Sequence, residues 1–98
     1  MAIRVDPEGR EIAALHRAVN FKNRDVIEIG CGDGRLTFRY APFAHHVYAF
    51  DPDQESINLA RKNTPARLRD KIEFHRAVAQ RVRAPKEKFD IALLAWAL

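Results

Sequence analysis

Cysteine is nearly absent from this 98-residue chain: Cys31 stands alone, so no internal disulfide can form and a reducing, cytoplasmic compartment is the expectation. No apolar run approaches the length needed to cross a bilayer, and no membrane association is expected. The N-terminal stretch MAIRVDPEGREIAALHRAV carries acids and lacks a continuous apolar centre, so it does not read as a secretory signal. No low-complexity tract appears. With 47% of residues apolar, the chain can build a core rather than remain disordered. His16, His45, His46 and His75 stand at no metal-ligand spacing from one another or from Cys31, and zinc is not expected. Glycine is scarce as well, with four residues in all. Three of them, Gly30, Gly32 and Gly34, fall in one short run.

That run, Val26-Ile27-Glu28-Ile29-Gly30-Cys31-Gly32-Asp33-Gly34-Arg35-Leu36, carries most of the information in the chain. It reads as a buried strand, a tight turn with glycine at every second position, and the start of a helix. Glycines there let the backbone turn sharply and approach a ligand that side chains would hold away. Glu28 ends the strand two positions before the first glycine, where it could accept hydrogen bonds from a cationic group on the loop. The alternative is a structural acid paired with a neighbour such as Arg35. Asp33 reads as a turn-former. Cys31 reads as a small residue in a tight turn, since no basic partner is fixed near it.

The rest of the chain alternates between helix and strand. A helix is expected from Pro7 to Val19, with Ile12, Leu15 and Val19 on one face and Asp6 as its N-cap. Strands are expected over Asp25 to Ile29, Val47 to Phe50, Ile72 to His75 and Ile91 to Ala95. Helices are expected from Arg35 to Tyr40 and from Asp53 to Asn63, the second burying Ile57, Leu59 and Ala60. Thr64-Pro65 breaks that helix. Val78 to Val82 reads as a turn or short helix, and 84–88 as a polar loop. The last strand is apolar at every position, as in the middle of a parallel sheet covered on both sides. Trp96 at the end of that run reads as core, and Asp90 at its start as structural. This alternation predicts a doubly wound α/β sheet in a single domain: residues 1–24 form the N-terminal helix and turn, and 25–98 the sheet half.

In such a sheet the ligand lies at the carboxyl ends of the strands. The glycine turn lies there, and so does Asp51, which ends the second predicted strand. An acid at that place can accept both hydroxyls of a ribose. Asp51 could instead cap the helix that follows, but Asp53 is the better cap. The spacing E-x-G-x-G-x-G differs from the G-x-G-x-x-G of dinucleotide sites. Two carboxylates, Glu28 and Asp33, would repel a pyrophosphate and welcome an ammonium or a sulfonium.

The segments VIEIGCGDGRLTF, VYAFDPD and FDIALLAWAL resemble the successive motifs of class I S-adenosylmethionine-dependent methyltransferases, in order and in spacing, from about Asp25 to Leu98. The resemblance implies a Rossmann-like doubly wound parallel sheet with strand order 3-2-1-4, preceded by an N-terminal helix, and S-adenosyl-L-methionine as cofactor. It implies that Glu28 and the backbone of Gly30, Cys31, Gly32 and Gly34 hold the methionine part. Asp51 would bind the ribose hydroxyls, and Pro52 would line the adenine pocket. The family often places an acid after its third strand to meet the adenine amino group. Here that position is Val78, so the contact is expected from the Ala79 backbone and Gln80.

The family sheet continues beyond the fourth strand with segments that shape the methyl-acceptor site. The chain reaches Leu98 within that junction, so the cofactor half is expected to be present and most of the acceptor half not. A fragment of a longer enzyme, or a small protein that completes its sheet by dimerising, would both fit. Left as it stands, the fourth strand would be an open apolar edge suited to a homodimer. Without an acceptor site, the orientation that drives methyl transfer is lost. No catalytic residue stands out, and the acceptor is expected to be a small molecule rather than RNA. The net charge of +4 and the basic residues between Arg61 and Lys88 read as a solvated face, without the interleaved aromatics of a stacking platform. Two other readings stay open: a nicotinamide-dependent oxidoreductase fragment, and a non-catalytic nucleic-acid-binding module.

Overall fold

Five strands, all parallel, form one sheet in the computed structural model, which describes residues 2–5, 20–78 and 89–95. They are β1 (Ala2–Val5), β2 (Asp25–Ile29), β3 (His46–Asp51), β4 (Ile72–Arg76) and β5 (Ile91–Ala95). Their order across the sheet is β1-β5-β2-β3-β4. The four predicted strands therefore lie in the predicted order, 3-2-1-4. Their bounds match the sequence reading at β2 and β5 and are one or two residues longer at β3 and β4. The helix expected over Pro7 to Val19, the positions 79–88 and Trp96 lie outside the described residues.

One expectation is corrected at the sheet edge. β1 pairs with β5 in parallel, Ala2 opposite Ala92 and Val5 opposite Ala95. The edge expected to be open for a second copy is thus taken within the chain. A four-residue strand leaves too short an alternation to be recognised from sequence, and the expectation of a helix and turn over 1–24 contains no strand.

Rows of side chains cross the sheet. In one row Ile91, Val26, Val47 and Ile72 stand side by side, and in the next Leu93, Glu28, Ala49 and Phe74. All eight are buried. This face is covered by two helices, α1 (Thr37–Tyr40) and α2 (Gln54–Asn63). α1 is shorter than the expected Arg35 to Tyr40. From α2, Ile57 and Ala60 are fully buried, but Leu59 is 49% exposed and does not belong to the buried face as expected. Two residues on from Ile57 along a helix is more than half a turn round, which points Leu59 away from the sheet. Thr64 closes α2 by donating its hydroxyl to the Ala60 carbonyl at 2.7 Å, and Pro65 prevents continuation. A 3₁₀ turn, Ala66–Leu68, leads on to β4.

At the opposite end of the strands, Asp90 has the structural role expected of it. Its carboxylate accepts the Asp25 N–H at 2.9 Å and its own N–H donates to the Asp25 carbonyl at 2.8 Å. That pins the start of β5 to the start of β2. Among the described residues no helix is long and apolar enough to cross a membrane.

Candidate functional site

The chain leaves β2 at its carboxyl end and turns over the end of β3. The N–H groups of Gly30 and Cys31 both donate to the Phe50 carbonyl, at 2.7 and 3.0 Å, and the Gly34 N–H closes the turn on the Cys31 carbonyl at 3.1 Å. Gly32 and Gly34 have φ of +57° and +89°, the left-handed region that side chains rarely adopt. Their surroundings differ. A Cβ on Gly34 would lie 2.9 Å from Phe38 and 3.2 Å from Phe74, so glycine is needed there for packing. A Cβ on Gly32 would meet nothing within 4 Å. The backbone at Gly32 borders open space, and a ligand can approach it closely.

Asp51 lies beside that opening. Its Oδ2 accepts the Gly32 N–H at 2.9 Å and its Oδ1 accepts the Asp53 N–H at 2.9 Å. One carboxylate therefore ties the tip of the turn to the end of β3. The structure brings Gly30, Cys31, Gly32, Gly34, Asp51 and Pro52 together as the sequence reading required. A carboxylate has about four acceptor positions, so Asp51 can still accept two hydroxyls at the mouth. Pro52 is exposed, and its carbonyl accepts the Arg76 Nε–H at 3.1 Å. Asp53 stands at the N-cap position of α2; the Ser56 hydroxyl donates to its carboxylate at 2.7 Å, and that bond holds the carboxyl below the usual carboxylate range. Asp33 accepts both the backbone N–H and the Nε–H of Arg35, each at 3.3 Å, as a turn-former does. Val78, at the position where the family often has an acid, is exposed. Ala79 and Gln80 lie outside the described residues.

Glu28 is placed differently from Asp51. It is 0% exposed, under the turn and in a row of apolar side chains. Its Oε1 accepts the Thr37 hydroxyl at 2.7 Å and the Tyr40 hydroxyl at 2.6 Å. Its Oε2 has no hydrogen-bond partner among the described residues. Burial, only partly offset by the two hydroxyls, pushes the carboxyl above its ordinary range. Arg35, the ion partner considered from sequence, is engaged with Asp33 instead. Sequence reasoning missed Thr37 and Tyr40 as the partners of Glu28. Strand period places Glu28 on the same face as Val26 and helix spacing puts Thr37 and Tyr40 on one side of α1, but which way that side faces is set by packing. The Cys31 thiol is buried and bonded to the Gly32 carbonyl at 3.6 Å. Burial and the nearby carboxylates push its pKa well up, which makes it a poor nucleophile.

A family model described as a methyltransferase domain matches residues 26–98. This chain belongs to the class I S-adenosylmethionine-dependent methyltransferase family. Among curated relatives it is 33% identical over 61 residues to "Probable S-adenosylmethionine-dependent methyltransferase CRG1" of Saccharomyces cerevisiae, a match covering 62% of this chain and 20% of that one. The chain thus spans about a fifth of that relative's length. Among solved structures it superposes on an S-adenosylmethionine-dependent methyltransferase from Mesorhizobium loti with a TM-score of 0.76 at 23% identity, covering 93% of this chain and 42% of that one. A second is the Haemonchus contortus phosphoethanolamine N-methyltransferase 1, solved with phosphoethanolamine and S-adenosylhomocysteine, with a TM-score of 0.76 at 22% identity. It covers 93% of this chain and 19% of that one. At these identities the structural likeness speaks for the fold.

The cofactor of this family is S-adenosylmethionine. The residues present fit such a group. The Gly32 position leaves the space a Cβ would occupy open, and Asp51 offers a carboxylate at the strand ends. The acids around the turn, Asp33 and Asp51, suit a ligand bearing positive charge and would oppose a pyrophosphate.

Proposed function

We propose that this chain binds S-adenosylmethionine between the 30–34 turn and Asp51 and presents it for methyl transfer to a small-molecule acceptor. The observation that carries the proposal is the 2.9 Å bond from the Gly32 N–H to Asp51. It sets the open backbone of Gly32 and the Asp51 carboxylate at a fixed separation before any ligand arrives, so little ordering cost remains on binding. When bound, the cofactor supplies a sulfonium methyl with a neutral thioether as leaving group. The chain's own residues do the holding. Asp51 accepts the ribose hydroxyls, Pro52 bounds the base, and the backbone of Gly30 to Gly34 supports the methionine portion. Glu28 holds α1 beneath the turn through Thr37 and Tyr40, and so keeps the floor of the site in place. The contribution of these residues is to hold the cofactor in one orientation.

Thermal unfolding with and without ligand tests this reading. S-adenosylhomocysteine at about a hundredfold excess over its Kd would stabilise the fold by about 2.7 kcal/mol, while a reduced nicotinamide cofactor would leave the transition unmoved. A shift with the nicotinamide cofactor alone would overturn the proposal in favour of a dehydrogenase-type site.

A further inference from the structure

Of the basic residues that read from sequence as a solvated face, Arg61 and Arg69 come together beside β4. Between Arg61 and Arg76 the chain carries six arginines and lysines against two carboxylates, Asp70 and Glu73. Arg61, Lys62, Arg67, Arg69 and Arg76 are exposed, and none forms an ion pair among the described residues. Lys71 is committed to the carbonyls of Pro42 and Ala44 at 3.0 and 2.8 Å. Glu73 is engaged by His46 at 2.9 Å and by His75 at 3.2 Å.

A cleft of about 320 Å³ opens there, with Arg61, Thr64, Arg69, Phe74, His75 and Glu73 on its walls. The strand itself supplies further donors. The ladder to β3 begins with the Lys71 carbonyl accepting from Val47 and ends with the Ala77 N–H donating to Asp51. Between these ends, alternation turns Glu73 and His75 toward β3. The N–H groups of Ile72, Phe74 and Arg76 then face outward on the sheet edge. The Phe74 carbonyl on that edge is already taken: Arg61 donates to it through Nε at 3.2 Å and Nη2 at 2.6 Å. This bond fixes the guanidinium in place and leaves its other N–H groups for a ligand. Sheet-edge N–H groups beside an arginine fork make an anion-binding concavity.

We propose that this cleft binds a phosphoryl group, held by Arg61, Arg69 and the outward N–H groups of β4. The cleft shares no lining residue with the 30–34 turn or with Asp51, and the proposal goes beyond the cofactor reading without depending on it. The group can come from a phosphorylated small molecule or from the backbone of a single-stranded RNA, and a two-armed titration distinguishes them. The probes are inorganic phosphate, followed by chemical shifts of the arginine side chains, and a fluorescently labelled oligouridylate, followed by anisotropy.

Arg69→Gln is the informative variant, because Arg61 also caps the strand edge. It is expected to weaken the probe by about tenfold, with the melting curve unchanged. Arg24→Gln, a control outside the cleft, is expected to bind as the unaltered chain does. With the oligonucleotide, the slope of log K against log salt should fall by about 0.7 when Arg69 is removed. Saturation with S-adenosylhomocysteine should displace neither probe. Phosphate binding without oligonucleotide binding would assign a small phosphorylated ligand, and the reverse an RNA backbone. Binding of neither probe, or equal binding by Arg69→Gln and Arg24→Gln, would overturn the proposal.

Discussion

Gly32 and Gly34 stand two residues apart in one turn, both at positive φ, yet alanine at the two positions should fail in different ways. At Gly34 the left-handed backbone costs an alanine about 1–2 kcal/mol. The added methyl would also lie 2.9 Å from Phe38 and 3.2 Å from Phe74. Phe38 is held edge-on to Phe74, with ring centroids 5.9 Å apart, so it cannot move without disturbing a buried neighbour. Overpacking of this kind adds about 1–3 kcal/mol. Reduced freedom of the unfolded chain returns well under 1 kcal/mol. Gly34→Ala should therefore destabilise by about 2–4 kcal/mol. For a chain of this size each kcal/mol lowers Tm by about 4–8 °C.

Gly32→Ala meets only the backbone cost, partly offset in the unfolded state, and should lose about 1 kcal/mol or less. Its methyl, however, would project into the space where the ligand is expected. Thermal unfolding by circular dichroism and titration with S-adenosylhomocysteine separate the two effects. The expected result is a folded Gly32→Ala that no longer binds and a Gly34→Ala that melts far lower. The reasoning is refuted if Gly32→Ala is the less stable variant, or if it binds as well as the unaltered chain.

Other expectations follow from the buried acid and the helices. Glu28 has a raised carboxyl pKa in the fold, so the native state holds a proton that the unfolded chain releases. Its contribution is fully present below the ordinary carboxylate range and is lost as pH rises toward the folded pKa. Glu28→Gln should flatten this dependence, which urea titrations at a series of pH values would read. An unchanged slope would contradict the assignment. Tyr40→Phe removes a 2.6 Å donor to Glu28 and should cost about 1–3 kcal/mol. A double-mutant cycle with Glu28→Gln should show coupling, and additive losses would argue against a shared network. On α2, Ile57→Ala should cost about 2–5 kcal/mol while Leu59→Gln stays within about 0.5 kcal/mol. Chemical denaturation of both variants checks the corrected helix face.

Much of this fold could be read from the chain because its strands and its turn are strongly patterned. Asp25 to Ile29 lies between a polar turn and a glycine turn, and Ile91 to Ala95 is apolar at every position after Asp90, so both strands are legible to the residue. The glycine turn and Asp51 were placed together because a parallel sheet brings strand ends to one side. What could not be read depends on tertiary context. β1 is a four-residue strand whose partner lies nearly ninety residues away in sequence. The bond between Gly32 and Asp51 depends on the tightness of the turn, which glycine positions alone do not determine. Glu28 was weighed as a ligand contact or as a partner of Arg35. Its two hydroxyl donors come from a helix whose rotation about its axis is set by packing. Leu59 was assigned by its apolar character, against the helical period that turns it to solvent.

The central claim, that the turn and Asp51 form a nucleoside site, is tested most directly by calorimetric titration of the purified chain with S-adenosylhomocysteine, beside folded Asp51→Ala. The account predicts a saturable, one-to-one heat for the unaltered chain that Asp51→Ala loses. A folded chain that takes up no ligand, or an Asp51→Ala that binds equally well, would contradict it.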